Sequence, residues 1–313
     1  MKLIVQIPCL NEEKNIAATI KSIPMQIPGI DQIEILVIND GSTDQTVQEA
    51  RKAGAHHIIS LPTKTGLAHT FMVGLEESLK LKADIIVNFD ADQQYNASDI
   101  QKLIEPILND KAQIVIGDRQ VNSVKHFGFL KRKLQQLGSF VVSSLTGLKI
   151  NDAVSGFRAF SQEAALKINL RSHFSHTLET IIFAAKEQIL LTSIPVRTNP
   201  ITRPSRLANN MWGFIKKSIA STIRVYLIYD PFKVFMSFGT IIIFLGMLPL
   251  ARFLYFFLRH NGDGHIQSLV FGSIFIILGF ISIAIGLIAD LLSLNRRLIE
   301  RQLFETKKTR LNL

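Results

Sequence analysis

Asp90 and Asp92 stand one residue apart at the end of the apolar run ADIIVNF (Ala83–Phe89). Alternation at a strand end directs two such carboxylates toward one concave site, where their repulsion calls for a cation. With the amide of Gln94 they form an all-oxygen donor set suited to Mg2+ or Mn2+. The absence of cysteine or a close histidine pair beside them disfavours zinc. A divalent metal whose shell is completed by phosphate oxygens is the simplest use of these residues.

Two further polar clusters follow apolar runs, Pro8-Cys9-Leu10-Asn11-Glu12-Glu13 and Asn39-Asp40-Gly41-Ser42-Thr43-Asp44. Taken singly, each also reads as a turn leading into a capped first helical turn. Guanidinium groups, which match phosphate oxygens bidentately, occur at Arg119, at Arg132 within Lys131-Arg132-Lys133, and at Arg203 and Arg206. A solvated basic face is the alternative for each.

The elements that must position these groups alternate along the first 200 residues. LIVQI (Leu3–Ile7), IEILVI (Ile33–Ile38), HHIISL (His56–Leu61), ADIIVNF and QIVIG (Gln113–Gly117) are short β-branched runs. Helical patterns lie between them, over Glu13–Ser22, Thr43–Ala53, Leu67–Leu81 and Ser98–Asn109. Such alternation specifies an α/β fold with a mainly parallel sheet covered by helices. Ligands of these sheets bind beyond the carboxyl ends of the strands, where all three polar clusters fall.

Taken together, the motifs resemble those of family 2 glycosyltransferases with the A-type, Rossmann-like nucleotide-sugar fold. They comprise Pro-x-x-Asn-Glu (Pro8, Asn11, Glu12), Asp-Gly-Ser (Asp40, Gly41, Ser42) and Asp-x-Asp (Asp90, Asp92). Asp152-Ala153-Val154-Ser155-Gly156-Phe157-Arg158 is similar to a segment of the polyprenyl-phosphate branch of that family. The resemblance implies that Pro8, Asn11, Glu12, Asp40, Ser42, Gly66 and Asp90 hold the nucleotide sugar. It implies that Asp90, Asp92 and Gln94 surround metal and diphosphate, and that Arg119 and Arg132 bind the acceptor phosphate; Arg203 and Arg206, just before the interfacial helix, are further candidates for that phosphate. Ser155 and Arg158 would bind the acceptor phosphate or serve as structural support for the site, and Asp152 would act as a catalytic group, orienting the sugar or acceptor or serving as a base. Two departures stand out: Tyr95 takes a place often held by His, and the glycine-rich turn after the third strand is reduced to Lys64-Thr65-Gly66-Leu67.

In composition, 47% of the 313 residues are hydrophobic and only 19% are charged, which excludes a disordered chain. The apolar excess lies near the C-terminus. Eighteen uncharged residues separate Lys233 from Arg252, and Ile266–Ala289 adds 24 more. At 1.5 Å per residue these cover about 27 and about 36 Å, enough to span a bilayer. The expected organisation is a catalytic domain over residues 1–204 and an interfacial amphipathic helix over 205–230. A membrane hairpin over 231–294 follows, with spans at about 232–258 and 266–290, and then a basic tail over 295–313. Lys216, Lys217, Arg224 and Lys233 before the hairpin, and Arg296, Arg297 and Arg301 after it, place both termini and the catalytic domain in the cytoplasm. The N-terminus has no long apolar segment, so no cleaved signal peptide is expected.

The expected protein is a multi-pass enzyme of the cell membrane that moves one sugar from a nucleoside-diphosphate sugar, UDP-glucose first, to polyprenyl phosphate. The family pattern implies inversion. A net charge of +10 suits anionic partners. The partners expected are the donor, the lipid phosphate and the bilayer, without nucleic acid; a homo-oligomer is compatible. A GDP-mannose-dependent mannosyltransferase, a processive polysaccharide synthase and a non-catalytic adaptor with a degenerate nucleotide-sugar fold are the rival readings.

Overall fold

The computed structural model describes residues 1–120, 139, 142–143, 146–148, 150–170, 176–199, 227, 230–259 and 265–311. Five expected strands form: β1 (Lys2–Cys9), β2 (Gln32–Asn39), β3 (His57–Ser60), β4 (Ile85–Asn88) and β5 (Ile114–Asp118). Helices α1 (Ile16–Ser22), α2 (Thr46–Lys52), α3 (Leu67–Lys80) and α4 (Ile100–Leu108) alternate with them. Beyond lie β6 (Arg158–Ser161), α5 (Gln162–Lys167), α6 (His176–Lys186) and β7 (Leu191–Pro195).

The seven strands make one sheet in the order β3-β2-β1-β4-β6-β5-β7. β1 pairs in parallel with both β2 and β4, so the chain order reverses between β1 and β4 and opens a crevice at their carboxyl ends. Seven of the eight residues of β1 are buried, as expected of a central strand covered on both faces. On one face Leu3, Val5 and Ile7 pack with Ile16 and Ile20 of α1 and Ile100, Leu103 and Ile104 of α4. On the other, Phe71 of α3 meets Phe160 of β6 at 5.6 Å between ring centroids and stacks on His176 of α6 at 4.5 Å.

β6 departs from the parallel pattern and runs antiparallel to both β4 and β5. That reversal matters for the site. An antiparallel strand starts where its neighbours end, so the loop 152–157 that feeds β6 lies on the edge of the sheet that carries Asp90.

The chain divides into two compact units, Met1–Thr222 with Leu303–Leu313, and Ile223–Gln302. The second contains α7 (Pro231–Leu258) and most of α8 (Ile266–Leu311). Pro231 is the first residue of α7, where its missing N–H costs no hydrogen bond. Phe238, Phe244, Leu248, Phe271, Phe280 and Leu287 are all more than half exposed on these helices. Only 6% and 17% of the most apolar windows of the two helices are buried, unlike the core helices of a soluble domain. Two long helices with such surfaces fit a transmembrane hairpin. The expected interfacial helix lies outside the described residues apart from Leu227 and Asp230. α8 does not stop near Asp290 but runs through the basic segment to Leu311, with Arg296 and Glu300 paired one turn apart at 2.7 Å.

Candidate active site

The loops after β1 and β2 are built as one unit. Asn11 sits in the left-handed region at φ 53°, a conformation that asparagine tolerates better than most residues. Its N–H donates to Ser42 Oγ at 2.9 Å, and its Oδ1 accepts the Thr43 N–H at 2.9 Å. Glu12 is 7% exposed; its N–H donates to Thr46 Oγ1, and its Oε2 accepts from Asn15 Nδ2. Pro8 lies within β1 opposite Ile38. Asp40, 4% exposed, accepts three hydrogen bonds at its carboxylate: from Thr65 N–H at 2.7 Å, Thr65 Oγ1 at 2.8 Å and Gly66 N–H at 3.0 Å. Asp40 thereby shapes the reduced turn 64–67, and Gly66 accommodates it at φ 99°. Sequence spacing brings these residues to one edge; their mutual hydrogen bonds show that they also build that edge.

Asp90 and Asp92 follow β4 beside this unit. Burial, then the negative charge of Asp92, raises the Asp90 carboxyl to about 7, against the opposing pull of Arg119 and Arg158. Asp92 Oδ1 accepts the Gln94 N–H at 3.1 Å. Among the described residues no group of three or more His, Cys, Asp or Glu gathers in a way that could hold a metal ion. Two carboxylates and an amide oxygen leave half of an octahedral shell to water and phosphate, the manner in which Mg2+ is usually held. Carboxylate and amide oxygens are the hard donors that such an ion takes, so the donor set fits it.

The loop before β6 lies against Asn88 and Asp90. Asn88, the last residue of β4, accepts from Gln6 Nε2 at 2.9 Å and donates Nδ2 to the Gly156 carbonyl at 2.8 Å. Gly156 passes so close to Asp90 that a Cβ there would lie 2.7 Å from Oδ2. Tyr95, 2% exposed, accepts the Gly156 N–H at its hydroxyl and shares a 3.3 Å hydrogen bond with Ser155 Oγ. Burial pushes the Tyr95 phenol up to about 12.

Four of the expected residues are engaged by partners within the protein. Arg119 was expected at the acceptor phosphate, yet its guanidinium closes on Asp152 through Nε–Oδ2 at 2.6 Å and Nη2–Oδ1 at 2.9 Å. Asp152 has no exposure, and a buried carboxylate requires a counter-charge, which Arg119 supplies. Arg158 is also fully buried, with its donors spent on the carbonyls of Ser155, Thr177 and Ala153. Ser155, fully buried against Tyr95, supports the loop rather than facing an acceptor. Arg132, Arg203 and Arg206 lie outside the described residues.

Gln6, Asn88, Tyr95 and Asn199 were not expected to contribute. A polar Asn88 in the apolar run ADIIVNF was the available signal. For Asn199, more than 100 residues from the turn that it contacts, sequence spacing held none.

Residues 4–168 match the family model described as Glycosyl transferase family 2. The UDP-N-acetylglucosamine–dolichyl-phosphate N-acetylglucosaminyltransferase of Methanococcus voltae is 32% identical over 61% of this chain and 83% of its own length. The undecaprenyl-phosphate mannosyltransferase of Micrococcus luteus is 27% identical over 54% of this chain and 70% of its own. Among solved structures, glucosyl-3-phosphoglycerate synthase from Mycobacterium tuberculosis, in complex with Mn2+ and UDP, shares the fold. Its TM-score is 0.57 at 21% identity, over 72% of this chain and 79% of that one. By its matched residues and its relatives, the chain belongs to glycosyl transferase family 2.

Proposed function

We propose that this protein is a membrane-anchored, inverting glycosyltransferase that moves one sugar from a nucleoside-diphosphate sugar to a polyprenyl phosphate at the cytoplasmic face of the cell membrane. The observation that carries the reading is the Asp90–Asp92 pair at the mouth of the β1/β4 crevice, in a chain whose C-terminal helices present lipid-compatible surfaces. An acceptor confined to the bilayer is met by an enzyme held there. The names of the relatives, which specify dolichyl and undecaprenyl phosphates, support this acceptor class.

In the reaction a phosphate oxygen of the acceptor attacks the anomeric carbon as the bond from that carbon to the donor diphosphate breaks. The nucleoside diphosphate leaves with the electron pair. A divalent cation, when bound, neutralises the leaving diphosphate. Asp90, Asp92 and Gln94 would hold it, while the joined loops 8–13, 39–46 and 64–67 form the nucleoside pocket. A phosphate monoester has its second pKa near 6 and is already largely dianionic at pH 7, so the attack requires no strong base. The burial of Asp152 under Arg119 agrees with that chemistry and weighs against a hydroxyl acceptor of the polysaccharide-synthase kind, which would need a base. With Arg119 and Arg158 occupied elsewhere, Arg132, Arg203 and Arg206 are the proposed acceptor-phosphate ligands.

UDP-glucose is the first donor to test. UDP-N-acetylglucosamine and GDP-mannose belong beside it because relatives carry N-acetylglucosamine and mannose in their names. Purified full-length protein, incubated with each labelled nucleotide sugar, polyprenyl phosphate and Mg2+ or Mn2+, should move label into the organic phase with one donor and lose that transfer in EDTA. Absence of lipid-linked label with every donor, from protein that is folded and metal-supplied, would overturn the assignment.

A further inference from the structure

Gln93, the residue after Asp92, has φ 58°. This left-handed conformation is costly for a side chain such as glutamine. It turns the chain back so that the Gln94 N–H reaches Asp92 Oδ1. Something must hold it, and the carbonyls of Gln93, Gln94 and Tyr95 all accept hydrogen bonds from a single distant residue. Asn199 Nδ2 donates to the Gln93 carbonyl at 2.9 Å and to the Tyr95 carbonyl at 3.1 Å, while its backbone N–H donates to the Gln94 carbonyl at 2.9 Å.

The clamp is itself anchored. Thr198 bridges Tyr95 in antiparallel fashion, and the Asn96 N–H donates to the Arg197 carbonyl at 3.2 Å. The Arg197 N–H donates to Asp99 Oδ2, and its guanidinium reaches Asp99 Oδ1, both at 2.7 Å. Residues 197–199 thus form a strap across 93–99, fixed at Asp99 and closed at Asn199. Two carbonyls facing one side-chain amide require its NH2 end, with both hydrogens used.

We infer that Asn199 is a positioning residue for the Asp90–Asp92 metal turn: its hydrogen bonds to the 93–95 backbone hold Gln93 left-handed and so aim Asp92 and Gln94 at the cation. The inference rests on the proposed reading of Asp90 and Asp92 as metal and diphosphate ligands. It predicts that losing the amide donors is felt in metal affinity, and that relieving the conformational cost at Gln93 compensates.

The test uses full-length protein in detergent with UDP or GDP present, Mn2+ binding followed by electron paramagnetic resonance, and thermal melting in parallel. Asn199→Ala should weaken Mn2+ binding about ten-fold or more, as loss of outer-shell support commonly does. Asn199→Asp should be at least as damaging, because an acceptor-only carboxylate would face two carbonyls. In a Gln93→Gly background the Asn199→Ala loss should be much smaller, since glycine adopts φ > 0 without strain. A lower melting temperature with unchanged Mn2+ affinity would overturn the positioning role, as would an Asn199→Ala loss no smaller in a Gln93→Gly background, a comparison that cancels the 3.2 Å bond from Gln93 Nε2 to the Asn15 carbonyl. Wild-type protein that takes up no Mn2+ beside either UDP or GDP would instead overturn the metal reading on which the inference stands.

Discussion

Arg119 and Asp152 face each other as a fork on a fork, two parallel hydrogen bonds of 2.6 and 2.9 Å between groups that are 10% and 0% exposed. Breaking a buried pair by removing one partner leaves an uncompensated charge and typically costs about 3–5 kcal/mol. Arg119→Ala and Asp152→Ala should therefore each destabilise the protein by that order, and Arg119→Met with Asp152→Leu should recover a large part. Chemical denaturation followed by circular dichroism measures it. If Arg119→Ala melted like wild type and raised only the acceptor requirement, Arg119 would return to the acceptor phosphate.

Gly156 predicts a different kind of defect. Its backbone is not in the left-handed region, so alanine is allowed there conformationally, but the added Cβ would stand 2.7 Å from Asp90 Oδ2. The carboxylate must rotate away. Because a displacement of about 1 Å at a reacting centre can cost about 100-fold in rate, Gly156→Ala should lose transfer by that order while melting close to wild type. Turnover within a few-fold of wild type would show that the Asp90 orientation is not critical.

These two residues also mark where sequence reading ran out. The β-branched runs placed five strands and the crevice edge, because burial on both faces of a parallel sheet writes itself into consecutive apolar residues. β6 was not legible: Arg158-Ala159-Phe160-Ser161 is four residues long and opens on a charge. Its antiparallel direction is what carries Gly156 to Asp90. Arg119 was legible as a guanidinium after a strand, but its partner lies 33 residues on and only the fold joins them. The same distance problem hides Asn199. Motif spacing brought Asn11, Glu12, Asp40 and Ser42 to one edge of the sheet, yet it could not show that Asp40 spends three hydrogen bonds on the turn 65–66.

Cys9 offers a probe of the folded state. It is 5% exposed at the end of β1, with Sγ 3.6 Å from the Ile38 carbonyl, and burial together with the negative charges of Glu12, Asp44 and Asp40 pushes the thiol up to about 12. The thiolate is the reactive form, so Cys9 should resist iodoacetamide at pH 8 and react once the chain is unfolded in urea. A thiol whose folded pKa is raised contributes stability that is complete below its unfolded value near 9 and is lost as pH climbs toward about 12. The same protection makes Gly262→Cys a clean topology probe. An impermeant thiol reagent should label it only from the face opposite the catalytic domain, and labelling from the cytoplasmic side alone would reverse the proposed orientation.

The two apolar helices meet along glycines spaced by seven, Gly239 and Gly246 on α7 and Gly272, Gly279 and Gly286 on α8. A Cβ on Gly279 would lie 2.5 Å from Ile243 Cγ1 and 2.8 Å from the Gly239 carbonyl; one on Gly246 would lie 2.9 Å from the Gly272 carbonyl. A seven-residue period keeps one face of each helix on the other. In lipid the association of such helices relies on close backbone packing rather than on a hydrophobic drive. Ser282 adds one hydrogen bond across the seam, Oγ to the Phe235 carbonyl at 3.2 Å. Leucine at Gly279 should wedge the helices apart, whereas leucine at Phe280, which is 62% exposed, changes lipid-facing surface only. Cysteines introduced at Phe235 and Ser282, which meet across the seam without replacing a glycine, should cross-link readily in membranes. Adding Gly279→Leu should reduce that cross-linking several-fold, and Phe280→Leu should leave it intact. Equal cross-linking in both backgrounds would mean that the glycine seam does not hold the hairpin together.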